Sequence, residues 1–128
     1  MQQRRLSPRE GGQAALEFAL TLTVTFLLFF GMLDFGRAIY AASVVQWAAQ
    51  YGARFGVNNP EDLTGIEAEV LAHLVGLNAD EATVTVTEPG TDLIQVNVSY
   101  DFEFIAPIVR QITGDSVTLQ GSASMVAH

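Results

Sequence analysis

The chain has 128 residues, no cysteine and a formal net charge of −8, with 49% of its residues hydrophobic. That length fits one domain at most, disulfides contribute nothing, and the acidic balance excludes nucleic acid as a partner, because phosphate repels it. The charges are segregated: three of the six arginines (Arg4, Arg5, Arg9) fall within the first 12 residues, where Glu10 is the only acid of the chain's fourteen.

Residues 14–33 carry a single charge, Glu17. Twenty helical residues rise about 30 Å, the thickness of a bilayer's hydrocarbon core, so this run predicts a membrane-spanning helix. Arginines before the span and few after it predict a cytoplasmic N-terminus and an extracytoplasmic C-terminal part. Three readings compete for the start of the chain. A secretory signal peptide needs a short apolar core and a small-residue cleavage site. "AIYAAS" offers a site near Ala42, but Asp34 and Arg37 intervene and residues 18–33 form a long uncharged core. An unprocessed signal anchor leaves Glu17 without a role.

Cleavage after Gly12 supplies one. The mature chain then begins "QAALEFAL", with a new ammonium at Gln13 and Glu17 as its fifth residue. A carboxylate at mid-bilayer costs about 2.5–3.5 kcal/mol. Only about 6 Å from the helix start the cost is smaller, and the positive end of the helix favours an acid there. The ammonium of a neighbouring chain completes the neutralisation, which makes Glu17 an assembly contact. The alternative is that Glu17 snorkels to the cytoplasmic interface.

No proline lies between Pro8 and Pro60, so one helix is predicted from about Gln13 to Phe55, roughly 65 Å long. Asp34 and Arg37, one turn apart, are expected to mark the outer membrane boundary as an ion pair worth a few tenths of a kcal/mol. Farther out, Tyr40, Val44, Trp47, Ala48, Tyr51 and Phe55 share one helical stripe, predicted to pack onto a head. Ser43, Gln46, Gln50 and Arg54 form a polar stripe, and Gly56 is expected to end the helix.

A second helix follows, starting either at an Asn59 cap with Pro60 in its first turn or at a Thr64–Glu67 capping box. Ile66, Val70, Leu71, Leu74 and Val75 form its apolar face, and Gly76 ends it. The period then becomes two. Ala82, Val84 and Val86 alternate with threonines, "EPGTD" turns the chain, and Ile94, Val96, Val98, Tyr100, Phe102 and Phe104 line one face. "APIVRQITG" reads as a short helix or turn, and Ser116–Val126 as the last strand. The predicted fold is α+β: a long N-terminal transmembrane and assembly helix packed on a small domain, with a second helix and a three-stranded antiparallel sheet. The predicted division is a basic leader (1–12), a long helix embedded to about residue 33 (13–56) and an extracytoplasmic head (57–128).

No chemistry is legible. His73 and His128 are the two histidines, with no zinc-ligand spacing between them. "NNPED" and "NADE" lack the alternating oxygen ligands and glycine of a calcium loop. Glu67 and Glu69, two apart on a helix, do not face each other. No cofactor, metal or catalytic residue is expected.

"G–QAALEF" resembles the type IV prepilin signature of glycine, cleavage, four residues, glutamate and an apolar helix. With "LDFGRAIY" and "AAQYGARFG", residues 12–56 resemble the TadE-like family of tight-adherence pilus pseudopilins. Two departures are Gln13, where a small or apolar residue is commoner, and a span made more polar by Thr21, Thr23 and Thr25. The resemblance implies a pilin-like subunit rather than an enzyme. Gly12 and Gln13 would flank the bond cut by a membrane aspartic prepilin peptidase, with Phe18 in its recognition site and Glu17 serving assembly. Implied partners are that peptidase, other pilins or pseudopilins, membrane platform proteins and, before assembly, lipid. The implied location is the bacterial cytoplasmic membrane, then a pilus or the cell surface. The competing reading is a monomeric, single-pass anchored binding domain with an acidic head.

Overall fold

The computed structural model describes residues 8–90 and 92–127; Arg4, Arg5 and His128 lie outside the described residues. Helix α1 runs unbroken from Pro8 to Asn58. It begins before Gln13, since proline fits a helix's first turn and Glu10 complements the helix dipole there. It also passes through Gly56, which was expected to stop it. Gly56 is buried inside the helix, where an added Cβ would lie 3.0 Å from Ile66 Cδ1 and 3.1 Å from Ile94 Cγ2. The glycine serves close packing there rather than termination.

Helix α2 spans Leu63–Ala72, and neither predicted start is used. Asp62 is the cap, its Oδ1 accepting the Gly65 amide at 2.9 Å. Asn59 instead closes α1, its amide donating to Phe55 O at 3.0 Å. The helix ends at a His73 cap, so Gly76 (φ 74°) belongs to the turn beyond, and Val75 leaves the apolar face to stand exposed. Strands β1 (Ala82–Gly90), β2 (Leu93–Glu103) and β3 (Ser116–Val126) form an antiparallel sheet in that order, with helix α3 (Pro107–Thr113) joining the last two. Val84 and Gly121 flank Val98, and Leu119 faces Tyr100, while the β1–β2 register slips between Thr87 and Gly90. On central β2, Ile94, Val96, Val98, Tyr100 and Phe102 point inward; Phe104, beyond the strand, is half-buried.

The core lies between this face and the outer half of α1, with α2 beside it. From α1 it takes Ala41, Val44, Val45, Ala48, Ala49 and Ala53, and from α2 Ile66 and Val70. The predicted stripe is only partly interior: Val44 and Ala48 are buried and Phe55 packs on the core, Tyr40 and Tyr51 meet the head at its edge, and Trp47 stands 62% exposed. The reason is distance. At Gly121 the sheet comes so near α1 that a Cβ would sit 2.8 Å from Val45 O and 2.9 Å from Gln46 Cα. Only alanine, valine and glycine fit such an approach, so the large rings turn to the margins. There Tyr40 Oη donates to Val75 O at 3.0 Å, and Tyr51 stacks on His73 with centroids 3.9 Å apart.

Candidate membrane and assembly site

The inner half of α1 projects from the head. Leu16, Phe18, Leu20, Leu28 and Met32 are all about two-thirds exposed or more, and an apolar window of the helix is long enough to cross a membrane with none of it buried. Thr23 and Thr25 are compatible with lipid, because Thr23 Oγ1 donates to Ala19 O and Thr25 Oγ1 to Thr21 O, both at 2.8 Å. Those bonds satisfy the hydroxyls within the helix itself.

Gly12 and Gln13 lie in the early turns of α1, with open space where a Cβ at Gly12 would point. One turn on, Glu17 is exposed and its Oε1 accepts a 3.3 Å bond from Gln13 Nε2. Gln13 and Glu17, one turn apart, are thus joined side chain to side chain. Phe18 stands on the neighbouring outward surface.

Asp34 does more than mark a boundary. It is 1% exposed, and its Oδ1 takes Arg37 Nη1 at 2.7 Å and the Ile105 amide at 3.1 Å, while Oδ2 takes the Ala106 amide at 2.5 Å. Burial alone pushes this carboxyl up, but the Ala106 and Ile105 amides and the Arg37 guanidinium outweigh it and hold it below the usual carboxylate range. Arg37 is in turn seated 5.0 Å from the centroid of the Phe102 ring. Asp34 thereby ties the long helix to the connection between β2 and α3, 71 and 72 residues away in sequence. The Asp-x-x-Arg spacing exposed only the local half of this arrangement. Gln46, read as surface polar, clamps β3: its Nε2 donates to Ser122 O at 2.8 Å and its Oε1 accepts the Ser122 amide at 3.2 Å. Among the described residues no group of three His, Cys, Asp or Glu side chains is placed to hold a metal ion.

A span-length apolar helix continuous with a helix-on-sheet head defines a membrane-anchored α+β protein. The family model described as TadE-like protein matches residues 12–54, which covers Glu17, Asp34 and Arg37, and on that segment the likeness to the TadE-like family stands. Comparison with curated proteins gives no match, and comparison with solved structures gives none either.

Proposed function

We propose that the protein is a structural subunit, a minor pilin or pseudopilin, of a tight-adherence-type pilus or secretion apparatus. In this reading a prepilin peptidase cuts between Gly12 and Gln13, and the mature protein assembles with other pilins through its N-terminal helix. The observation that carries it is the uncovered apolar helix of residues 14–33 holding one exposed acid, Glu17, within the segment that matches the TadE-like family. Paired glycines favour the cut, because each glycine weakens a helix by about 1 kcal/mol relative to alanine and eases the unwinding a protease needs.

Once cut, the Gln13 ammonium of one subunit displaces the Gln13 amide from Glu17 of the next and sets the axial register. The apolar side chains of residues 18–33 then exchange lipid for neighbouring helices. The head lies outside the cytoplasm, as the arginine-rich start directs.

The test is the mass of the protein purified from its native host, with Glu17→Ala and Gly12→Leu beside it. Loss of residues 1–12 is expected for the unaltered protein and retention for Gly12→Leu. Glu17→Ala should insert normally yet be absent from pili. An intact N-terminus on a solitary protein would leave the anchored binding domain as the better reading.

A further inference from the structure

Apart from the span, apolar side chains are also uncovered around α3. Ile105, just before α3, and Ile108 and Ile112 within it are 63%, 45% and 80% exposed. Ile108 and Ile112, four apart, fall on one helical face. Ile108 also borders the span: with Ala106 and Val109 it lines an apolar cleft against Val24, Leu28 and Gly31 of α1. Asp34 fixes this placement from above through the Ile105 and Ala106 amides.

The depth of that contact identifies what covers the isoleucines. A hydrocarbon core of about 30 Å needs about 20 helical residues, which residues 14–33 provide. Were the bilayer to end beneath α3, at Val24, only residues 14–23 would remain, about 15 Å of helix. The hydrocarbon must therefore reach alongside α3. We infer that α3 is a second membrane element, bedded in the leaflet on the head's side, with the isoleucine stripe in contact with acyl chains. The inference rests on the membrane-spanning reading proposed above.

Several polar groups of the segment have the internal partners that medium requires, although no side chain caps the first turn of α3. The Ile105 and Ala106 amides are taken by Asp34, and Pro107 has no N–H to satisfy. The Arg110 amide donates to Ala106 O, the Gly114 amide to Arg110 O, and Thr113 Oγ1 to Val109 O. Arg110 pairs with Asp115 at 3.1 Å, both at the exposed end of α3, where a long arginine stem carries its charge to the headgroups.

The absence of native cysteine makes the experiment direct. Single-cysteine variants of the full chain, Ile112→Cys, Leu28→Cys in the span and Thr85→Cys on β1, each carry an environment-sensitive fluorophore in phosphatidylcholine vesicles. Quenching by acyl-brominated lipid is compared with quenching by aqueous iodide. The Ile112→Cys label should behave like the Leu28→Cys label, losing most of its emission to bromine and little to iodide, with Thr85→Cys reversed. Iodide quenching of the Ile112→Cys label equal to that at Thr85→Cys overturns the inference. Protection from both quenchers that grows with the protein-to-lipid ratio also overturns it, because a second copy then covers the stripe. Failure of the Leu28→Cys label itself to enter lipid removes the spanning helix, and with it both readings.

Discussion

At the scale of residues, the stability of the helix–head junction turns on Asp34. Its carboxylate is shared by one guanidinium and two amides, and removal of one partner from a buried charged group is costly. Asp34→Ala should cost about 3–5 kcal/mol, and Asp34→Asn, which keeps one acceptor oxygen, about 2 kcal/mol. Urea titration in detergent micelles measures both. The pH dependence has a definite sign. The folded carboxyl titrates below its ordinary value of 3.8, so its contribution is complete above that value and is lost as pH falls through the folded pKa. The gap between wild type and Asp34→Asn should therefore be widest near neutrality and close in strong acid. A gap that stays constant down to strong acid would mean that the charge of Asp34 is not what holds the junction.

At the scale of elements, the small-residue contact between α1 and the sheet sets how the head is built. An alanine at Gly121 would push against backbone atoms of Val45 and Gln46, which cannot swing away as a side chain can. Gly121→Ala should cost about 1–3 kcal/mol by overpacking and loosen the Gln46 clamp, so amide exchange at Ser122 rises. Gly36→Ala, on the same helix with nothing within 4 Å of the new methyl, should instead stabilise by about 0.5–1 kcal/mol through helix propensity. Equal effects at the two sites would show that the close approach is not limiting. This contact also marks what the sequence could and could not disclose. The strands were legible because a half-buried sheet alternates with period two, as in the run from Ile94 to Phe102. The covering face of α1 was not, because hydrophobicity points to Trp47 and Tyr51 whereas the contact selects for size. Gly56 and Gly121 were silent for the same reason: a glycine's spelling does not say whether it bends, ends or admits a neighbour. The start of α2 had several capping residues in a row, and only tertiary placement chose Asp62.

At the scale of the whole molecule, α1 serves two environments along one axis. Every residue of the buried core, and each hydrophobic residue packed against it, lies at Ala38 or beyond, whereas from Leu16 to Met32 the large apolar side chains other than half-buried Leu27 are open. The site residues divide accordingly: the segment around Glu17 was legible as a lone acid in an apolar run, but the fastening of Asp34 to Ile105 and Ala106 depends on a fold-back no local pattern records. The division predicts where the chain can be cut. A chain beginning at Leu33 keeps Asp34, the Gln46 clamp and the entire core, so in detergent micelles it should unfold cooperatively and give a dispersed amide spectrum. A chain beginning at Gln50 loses Ala41, Val44, Val45, Ala48 and Ala49 from the interior. Burial of each valine contributes about 1.5–3 kcal/mol, and with the alanines the loss is comparable to the about 5–15 kcal/mol that holds a typical domain together. That shorter chain should be unfolded by circular dichroism while the longer one melts in a single transition. If the longer chain also lacked a cooperative melt, the span would be supporting the head, and the two halves of α1 would be one structural unit rather than two joined by a continuous backbone.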